Sequence, residues 1–310
     1  MEAPVDLAAA RLGPRARRDE PIGARTTYRV GGNAALYVEL LDEEGLAAVV
    51  GAVAESKVPL LVLGKGSNVL VADGGFDGLC VTLGGAFEEL ALPAAAPAGE
   101  GAAATVTAGG GLAYPVLARR LATAGLGGMS WAVGIPGSVG GAVAMNAGGH
   151  GAETADRLVA AELVHLDSGE RHLAAAGDLD LAYRHSAVGA HDLVLAATFA
   201  VTAAPSGRLA EEIDEIVAWR REHQPGGRNA GSVFTNPPGD AAGRLLEEAG
   251  AKGLRVGSAV VSEKHANFIG VDSGGSADDV AALIEAACRL VAERLGVTLA
   301  TEVRFVGFDR

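Results

Sequence analysis

Two glycine-rich stretches carry the residue types that can hold a phosphate. In the first, Leu61-Val62-Leu63 runs into Gly64-Lys65-Gly66-Ser67-Asn68 and leaves through Val69-Leu70-Val71. In the second, Gly134-Ile135-Pro136-Gly137-Ser138-Val139-Gly140-Gly141 continues through Asn146 to Gly148-Gly149. Glycine lacks the Cβ that keeps backbone away from an anion, so successive N–H groups in such turns can converge on a phosphate. A nucleoside-triphosphate loop needs lysine followed directly by serine or threonine at a helix start, whereas Lys65 precedes Gly66 and a further strand. The second stretch lacks a clear strand-turn-helix setting and an acidic residue closing the next strand, which argues against a Rossmann fingerprint. Either loop alone reads as tight turns. Both in one lobe can clasp the pyrophosphate of a long dinucleotide with backbone donors, which suits FAD in an acidic chain.

The composition narrows the partners. A net charge of -13 over 310 residues argues against a general nucleic-acid or anionic-membrane binder. Cys80 and Cys288 lie far apart and outside any CxxC pair, giving neither a disulfide framework nor a zinc site, and no metal is expected. They read as buried, reduced thiols. No apolar run reaches membrane-spanning length, and Met1-Glu2-Ala3-Pro4-Val5-Asp6 lacks the basic start and apolar stretch of a secretory signal, so a cytoplasmic protein is expected.

The elements that must position the loops follow from periodicity. Residues up to about 20 read as a solvated lead-in or a first helix. Short β-rich runs follow at Ala35–Leu40, Leu60–Leu63, Val69–Ala72, Leu79–Leu83 and Thr105–Ala108, with helices inserted at Glu43–Glu55 and Ala113–Ala124. Ala91–Ala104 reads as a surface turn. A hairpin is expected from Leu158–Leu166, the turn Asp167-Ser168-Gly169-Glu170, and Arg171–Leu173, then a strand at Leu193–Val201. Ala204-Pro205-Ser206-Gly207 breaks this pattern, and a periodic helix at Arg208–Arg221 opens a second lobe. That lobe continues with a helix near Ala241–Ala249, strands at Ser258–Val261 and Asn267–Val271, a helix at Asp278–Leu295 and a closing strand at Ala300–Val306. The expected class is α+β, with a lead-in over residues 1–22, a cofactor lobe over 23–204 in two parts (about 23–85 and 86–204), and a smaller α+β lobe over 205–310.

Several blocks, in order, resemble the UDP-N-acetylenolpyruvoylglucosamine reductase family: Thr27–Ala34, Leu63–Asp73, Gly134–Gly151, Tyr183–Ser186, Gly231–Pro237 and Lys264–Phe268. The resemblance runs from about Thr27 to Gly307. It implies a two-part FAD-binding lobe of the vanillyl-alcohol-oxidase (PCMH) type and a substrate lobe whose closing strand returns toward the flavin. It also implies non-covalent FAD and NADPH as reductant, with reduction of UDP-N-acetylglucosamine enolpyruvate to UDP-N-acetylmuramate. Hydride delivery to the enolpyruvyl double bond calls for a proton donor, a cation and a further acid. By resemblance these are Ser232, Arg184 and Glu302. Each has a plainer reading from its setting alone: a turn serine, a surface ion pair and a solvent-facing strand residue.

The loop residues Gly64, Lys65, Gly66, Ser67, Asn68, Gly134, Ile135, Gly137, Ser138, Gly140, Gly141 and Asn146 are the expected cofactor contacts. Tyr183, Asn236, Lys264, His265, Asn267 and Arg228 are the expected substrate contacts, with Arg220 a further candidate for the pyrophosphate. Lys65 stands where the family more often has glycine, and His150 where tyrosine is frequent. The short path after Tyr183-Arg184 leaves little room for an inserted tyrosine-bearing loop, so the chain resembles the family's shorter form. A monomer or weak oligomer acting on small molecules is expected. Rival readings are a related sugar or alcohol oxidase, a catalytically silent nucleotide-sugar sensor, and a structural scaffold. Histidine-linked flavin is common in such oxidases, and Gly64–Asn68 has no histidine.

Overall fold

A computed structural model describes residues 3–94 and 99–308. The chain divides into two compact units. The first comprises Met1–Arg18, Leu36–Lys65 and Gly78–Arg220, and the second Asp19–Ala35, Gly66–Asp77 and Arg221–Arg310.

The first unit is built on a six-stranded sheet. Its main path runs Arg171–Ala175, Leu158–His165, Asp192–Ala203, Ala103–Gly109 and Leu90–Ala91, with Leu126–Gly127 pairing beside Asp192–Ala203. The expected hairpin is present, with Leu163 opposite His172, and Gly169 takes the positive φ of 73° that its turn requires. Alternation along Asp192–Ala203 sends Ala197, Phe199 and Val201 into the core beside Tyr114, Leu117, Leu121 and Trp131, and a register shift against Leu158–His165 brings Val194 to the same cluster. The Tyr114 ring meets Trp131 edge-on at 5.8 Å.

A second core in this unit lies under the helix Glu43–Ser56. Asp42 caps it by accepting from the Gly45 N–H at 2.8 Å, and Lys57 ends it in the left-handed conformation. Its Leu46, Val49 and Val53 pack against Leu36, Val38, Leu79 and Val81. Leu60–Val62 runs parallel to Leu79–Val81, which sets the strand that feeds the first glycine loop. Of the two readings for the first twenty residues, the helix holds: Pro4–Leu12 is helical, with proline in its first turn. The expected surface turn at Ala91–Ala104 falls partly on residues 95–98, outside the described residues. The helix Ser206–His223, expected to open the second lobe, packs Leu209 and Ile213 into the core of the first unit.

The second unit has a three-stranded antiparallel sheet, Arg255–Val256, Ala259–Val261 and Ile269–Val271, with helices Ala242–Glu248 and Ala277–Leu295. Leu245, Leu246, Val280, Leu283, Ile284 and Val291 form its core with Leu70, Val233 and Phe234. Ser276 caps the long helix, and the Asp73 carboxylate accepts from the Ser276 hydroxyl at 2.5 Å and the Ala277 N–H at 3.0 Å. The closing strand is shorter than expected. Only Arg304–Val306 is extended, parallel to Val69–Val71, while Thr301 makes an isolated bridge to Phe234. Glu302 therefore lies outside the strand, because its N–H and that of Val303 both turn onto the Val233 carbonyl, at 2.8 and 3.4 Å. Cys80 is buried and Cys288 only half-buried.

Candidate active site

Within the first unit the start of the first glycine stretch, Gly64-Lys65, meets the second stretch. A Cβ built on Gly64 would lie 2.5 Å from the Ser138 Oγ, so a side chain there would force the Ser138 hydroxyl of the second loop to move. Ser138 is buried and caps the short helix Val139–Ala144 by accepting from the Gly141 N–H at 3.2 Å. That helix was not legible as a strand-turn-helix unit, since a 3-10 turn at Ser130–Gly134 precedes it. Gly140 donates to the Gly110 carbonyl at 2.8 Å, and a Cβ at Gly110 would strike the Val194 carbonyl oxygen at 1.9 Å. The Gly109-Gly110-Gly111 run, absent from the expected site, thus props the second loop. Its glycine triplet was the available signal.

The donors in these loops are unspent. Among the described residues, nothing accepts a hydrogen bond from the N–H groups of Gly64, Lys65, Gly66, Ser67 and Asn68, or from those of Gly137 and Ser138. Paired backbone is the rule in a folded chain, and uncommitted N–H groups on glycine turns are what a diphosphate needs. Each loop, taken by itself, therefore fits a phosphate group of a dinucleotide. Asn146 does a different task. Fully buried at φ 39°, it donates to the Ala182 carbonyl at 2.9 Å and accepts from the Ala155 N–H at 2.9 Å. Its amide ties the second loop to the turn before Tyr183.

That turn holds Arg184. Ala182 and His185 close it as an isolated bridge, Arg184 sits at φ 56°, and the buried Ser186 donates to the Ala144 carbonyl at 2.8 Å. The guanidinium donates to the Gly148 carbonyl at 3.2 Å and lies 5.0 Å over the half-exposed Tyr183 ring. A non-glycine residue held at positive φ is costly, and the surrounding hydrogen bonds keep it there. Nearby in the same unit, His150 meets the Trp219 ring edge-on at 5.1 Å, and a Cβ on Gly134 would touch His150 and Arg220. Desolvation, and then the Arg220 guanidinium, hold the imidazole below its ordinary value. Burial likewise lowers Arg220.

In the second unit Ser232 follows Gly231, which stands at φ 73° and donates to the Asn229 side chain at 3.0 Å. The Ser232 hydroxyl is half-buried and has no hydrogen-bond partner among the described residues. Its turn is fixed by the next two residues. Val233 donates to the Asn267 carbonyl at 2.9 Å and Phe234 to the Asn267 side-chain oxygen at 2.9 Å. The Asn267 amide donates back to the Phe234 carbonyl at 2.9 Å. Asn267, expected among the substrate contacts, is buried and has both ends of its side chain committed to Phe234.

The other expected substrate residues are also in this unit. The exposed Asn236 accepts from the Ala242 N–H at 3.0 Å, and the Lys264 ammonium donates to the Arg221 carbonyl at 2.6 Å. His265 accepts from the Asn267 N–H at 3.2 Å and packs edge-on to Phe268, and burial holds it below its ordinary value. The Arg228 side chain is half-buried, with no ion pair among the described residues. Ser232 and Glu302 are brought together through Val233, whereas Arg184 belongs to the first unit.

Comparison with known proteins adds a separate line of observation. Two family models match: "FAD binding domain" over residues 34–174, and "UDP-N-acetylenolpyruvoylglucosamine reductase, C-terminal domain" over residues 222–306. A UDP-N-acetylenolpyruvoylglucosamine reductase from Rubrobacter xylanophilus is 42% identical, covering 96% of this chain and 97% of that protein. One from Heliobacterium modesticaldum is 41% identical, covering 94% and 90%. The crystal structure of the Thermus caldophilus enzyme of that name superposes with a TM-score of 0.79 at 34% identity, covering 94% of this chain and 99% of that one. A Physcomitrella patens BBE-like 1 structure matches at TM-score 0.54 and 14% identity, over 93% of this chain and 88% of that chain, a likeness of fold alone.

Proposed function

The chain belongs to the UDP-N-acetylenolpyruvoylglucosamine reductase family, and on that premise we propose that it reduces UDP-N-acetylglucosamine enolpyruvate to UDP-N-acetylmuramate for peptidoglycan synthesis. It is an oxidoreductase with non-covalent FAD. When bound, FAD supplies the hydride, drawn from NADPH, that saturates the enolpyruvyl double bond. The N–H groups of Gly64–Asn68, Gly137 and Ser138 hold its diphosphate, with Gly134, Ile135, Gly140 and Gly141 shaping the second loop. Residues 23–204 make the FAD-binding part and 205–310 the substrate part.

The chain's own residues do the rest. Ser232 gives a proton to the carbon beside the one that takes the hydride, and its hydroxyl is available because none of the described residues engages it. Arg184 stabilises the enolate, as a guanidinium with restricted motion can at little reorganisation cost. Glu302 polarises the developing charge. Tyr183, Asn236, Lys264, His265 and Arg228 are the substrate contacts, and Asn267 acts by fixing the Ser232 turn. The observation that carries this reading is that turn: an unengaged hydroxyl on a backbone held by Asn267 on one side and by Glu302 on the other.

NADPH binding and a cytoplasmic location as a monomer or weak oligomer belong to the same proposal. Among the described residues no helix is long and apolar enough to cross a membrane. Anaerobic NADPH consumption by the purified yellow protein, before and after addition of the enolpyruvyl sugar, tests the function. Sustained turnover only with the sugar is expected. A flavin that NADPH reduces and the sugar fails to reoxidise would overturn the reductase reading.

A further inference from the structure

Lys65, the departure from glycine in the first loop, donates from its ammonium to the Glu88 carboxylate at 2.7 Å, and both side chains are about two-fifths exposed, at 40% and 41%. An ion pair so exposed adds little to stability. Its place in the first unit gives it another use. Glu88 ends the 3-10 turn Gly85–Glu88, whose Phe87 carbonyl accepts from the Gly111 N–H at 2.9 Å, and a Cβ on Gly111 would come within 3.1 Å of the Glu88 side chain. The neighbouring Gly110 carbonyl accepts from Gly140, in the second loop. On its other side Lys65 follows Gly64, which abuts Ser138. The pair therefore closes a circuit of contacts around both loops, from Gly64 through Ser138, Gly140 and Gly110-Gly111 to Glu88 and back to Lys65.

We infer that Glu88 is a counter-ion that tunes cofactor affinity: the Lys65 ammonium engages the diphosphate of the bound dinucleotide in competition with the Glu88 carboxylate. The inference rests on the assignment of these loops to FAD. A lysine on four methylenes needs only rotamer changes to pass from a carboxylate to a phosphate on the same rim. A diphosphate carries more charge than one carboxylate and draws the ammonium toward itself, while Glu88, left beside the same anion, repels it. Glu88 therefore weakens binding twice, by holding the cation and by opposing the ligand. Lysine at this position then adds affinity that the glutamate partly cancels.

The test uses the full chain stripped of flavin, with FAD and riboflavin affinities measured by flavin fluorescence for the wild type, Lys65→Gln and Glu88→Gln. Glu88→Gln is expected to tighten FAD about 3- to 10-fold and Lys65→Gln to weaken it by a similar factor. Riboflavin, which has no phosphate, is expected to bind all three proteins equally. FAD binding by Glu88→Gln no tighter than wild type overturns the inference, as does a riboflavin affinity that shifts in step with FAD. A wild-type protein that binds riboflavin and FAD equally overturns the assignment of the loops to a diphosphate beneath it.

Discussion

The backbone N–H of Glu302 donates to the carbonyl of Val233 at 2.8 Å, so the expected second acid is anchored directly beside the residue that follows Ser232. The anchor is a backbone hydrogen bond. Glu302→Gln is expected to lower turnover of the enolpyruvyl sugar. Ser232→Ala is expected to lower that turnover about 100- to 10,000-fold, the range for loss of a general acid, and to spare flavin reduction by NADPH. Stopped-flow measurement of the two half-reactions separates these outcomes. Equal loss in both would remove Ser232 from the proton-donor role.

Gly64 and Ser138 make a second testable pair. Alanine at 64 would place its Cβ 2.5 Å from the Ser138 Oγ but 3.6 Å from the Ser138 Cβ, which is an ordinary contact. The hydroxyl must then leave its cap on Gly141, at a cost of about 1 kcal/mol. Ser138→Ala loses the same cap. The double variant Gly64→Ala/Ser138→Ala is accordingly expected to cost little more than either single change, a coupling of about 1 kcal/mol in urea unfolding of the flavin-free chain. Strict additivity would mean that the two loops do not press on each other there.

Much of this arrangement was legible in the residues, for reasons that differ by element. The glycine loops stood out because uncommitted donors and missing Cβ atoms leave a composition signature that needs no knowledge of distant partners. The helices Glu43–Ser56 and Ala277–Leu295 were legible from apolar spacing. Asn267 was not, since its partners are backbone atoms of Phe234, 33 positions away, and backbone has no identity in a sequence. Glu302 read as a strand residue because Thr301 to Val306 alternates. The two N–H groups drawn to one carbonyl break that alternation through tertiary structure alone.

Removal of the Asn267 side chain should show its structural load. Asn267→Ala leaves the Phe234 N–H and carbonyl without their partners in a buried segment, at about 2–4 kcal/mol for the two groups. A lower urea midpoint is expected together with reduced turnover, because the same bonds hold the Ser232 turn. Loss of turnover with an unchanged midpoint would instead make Asn267 a substrate contact.

His150 offers a pH-dependent reading of the first unit. Desolvation is the larger cause of its lowered pKa and the Arg220 charge the smaller, so Arg220→Gln should raise the value without restoring it to the ordinary 6.5. A histidine whose folded value lies below its unfolded value binds fewer protons when folded. Its contribution to stability is therefore intact above pH about 6.5 and falls as the pH drops below that value, until the folded form also protonates. Titration of the His150 ring proton by NMR in both proteins checks the direction. An unchanged value in Arg220→Gln would show that the guanidinium is not an electrostatic neighbour.

Tyr28 supplies the last case. Its ring is fully buried in the second unit, and its hydroxyl has the Ala230 backbone as its polar neighbour without reaching hydrogen-bond geometry. Burial raises its pKa well above the usual phenol value. An unmade hydrogen bond in a dry site costs about 1–3 kcal/mol, and phenylalanine fills the same ring volume without the polar atom. Tyr28→Phe should therefore stabilise the chain by about 1 kcal/mol in urea unfolding, after allowance for the weak Ala230 contact that it also removes. Because Ala230 leads directly into Gly231 and Ser232, the same variant reports on the turn. A stabilised protein with normal turnover would mean that apolar packing alone supports it. A destabilised one would mean that the hydroxyl has a partner in solution, such as a bound water, that steadies the approach to Ser232.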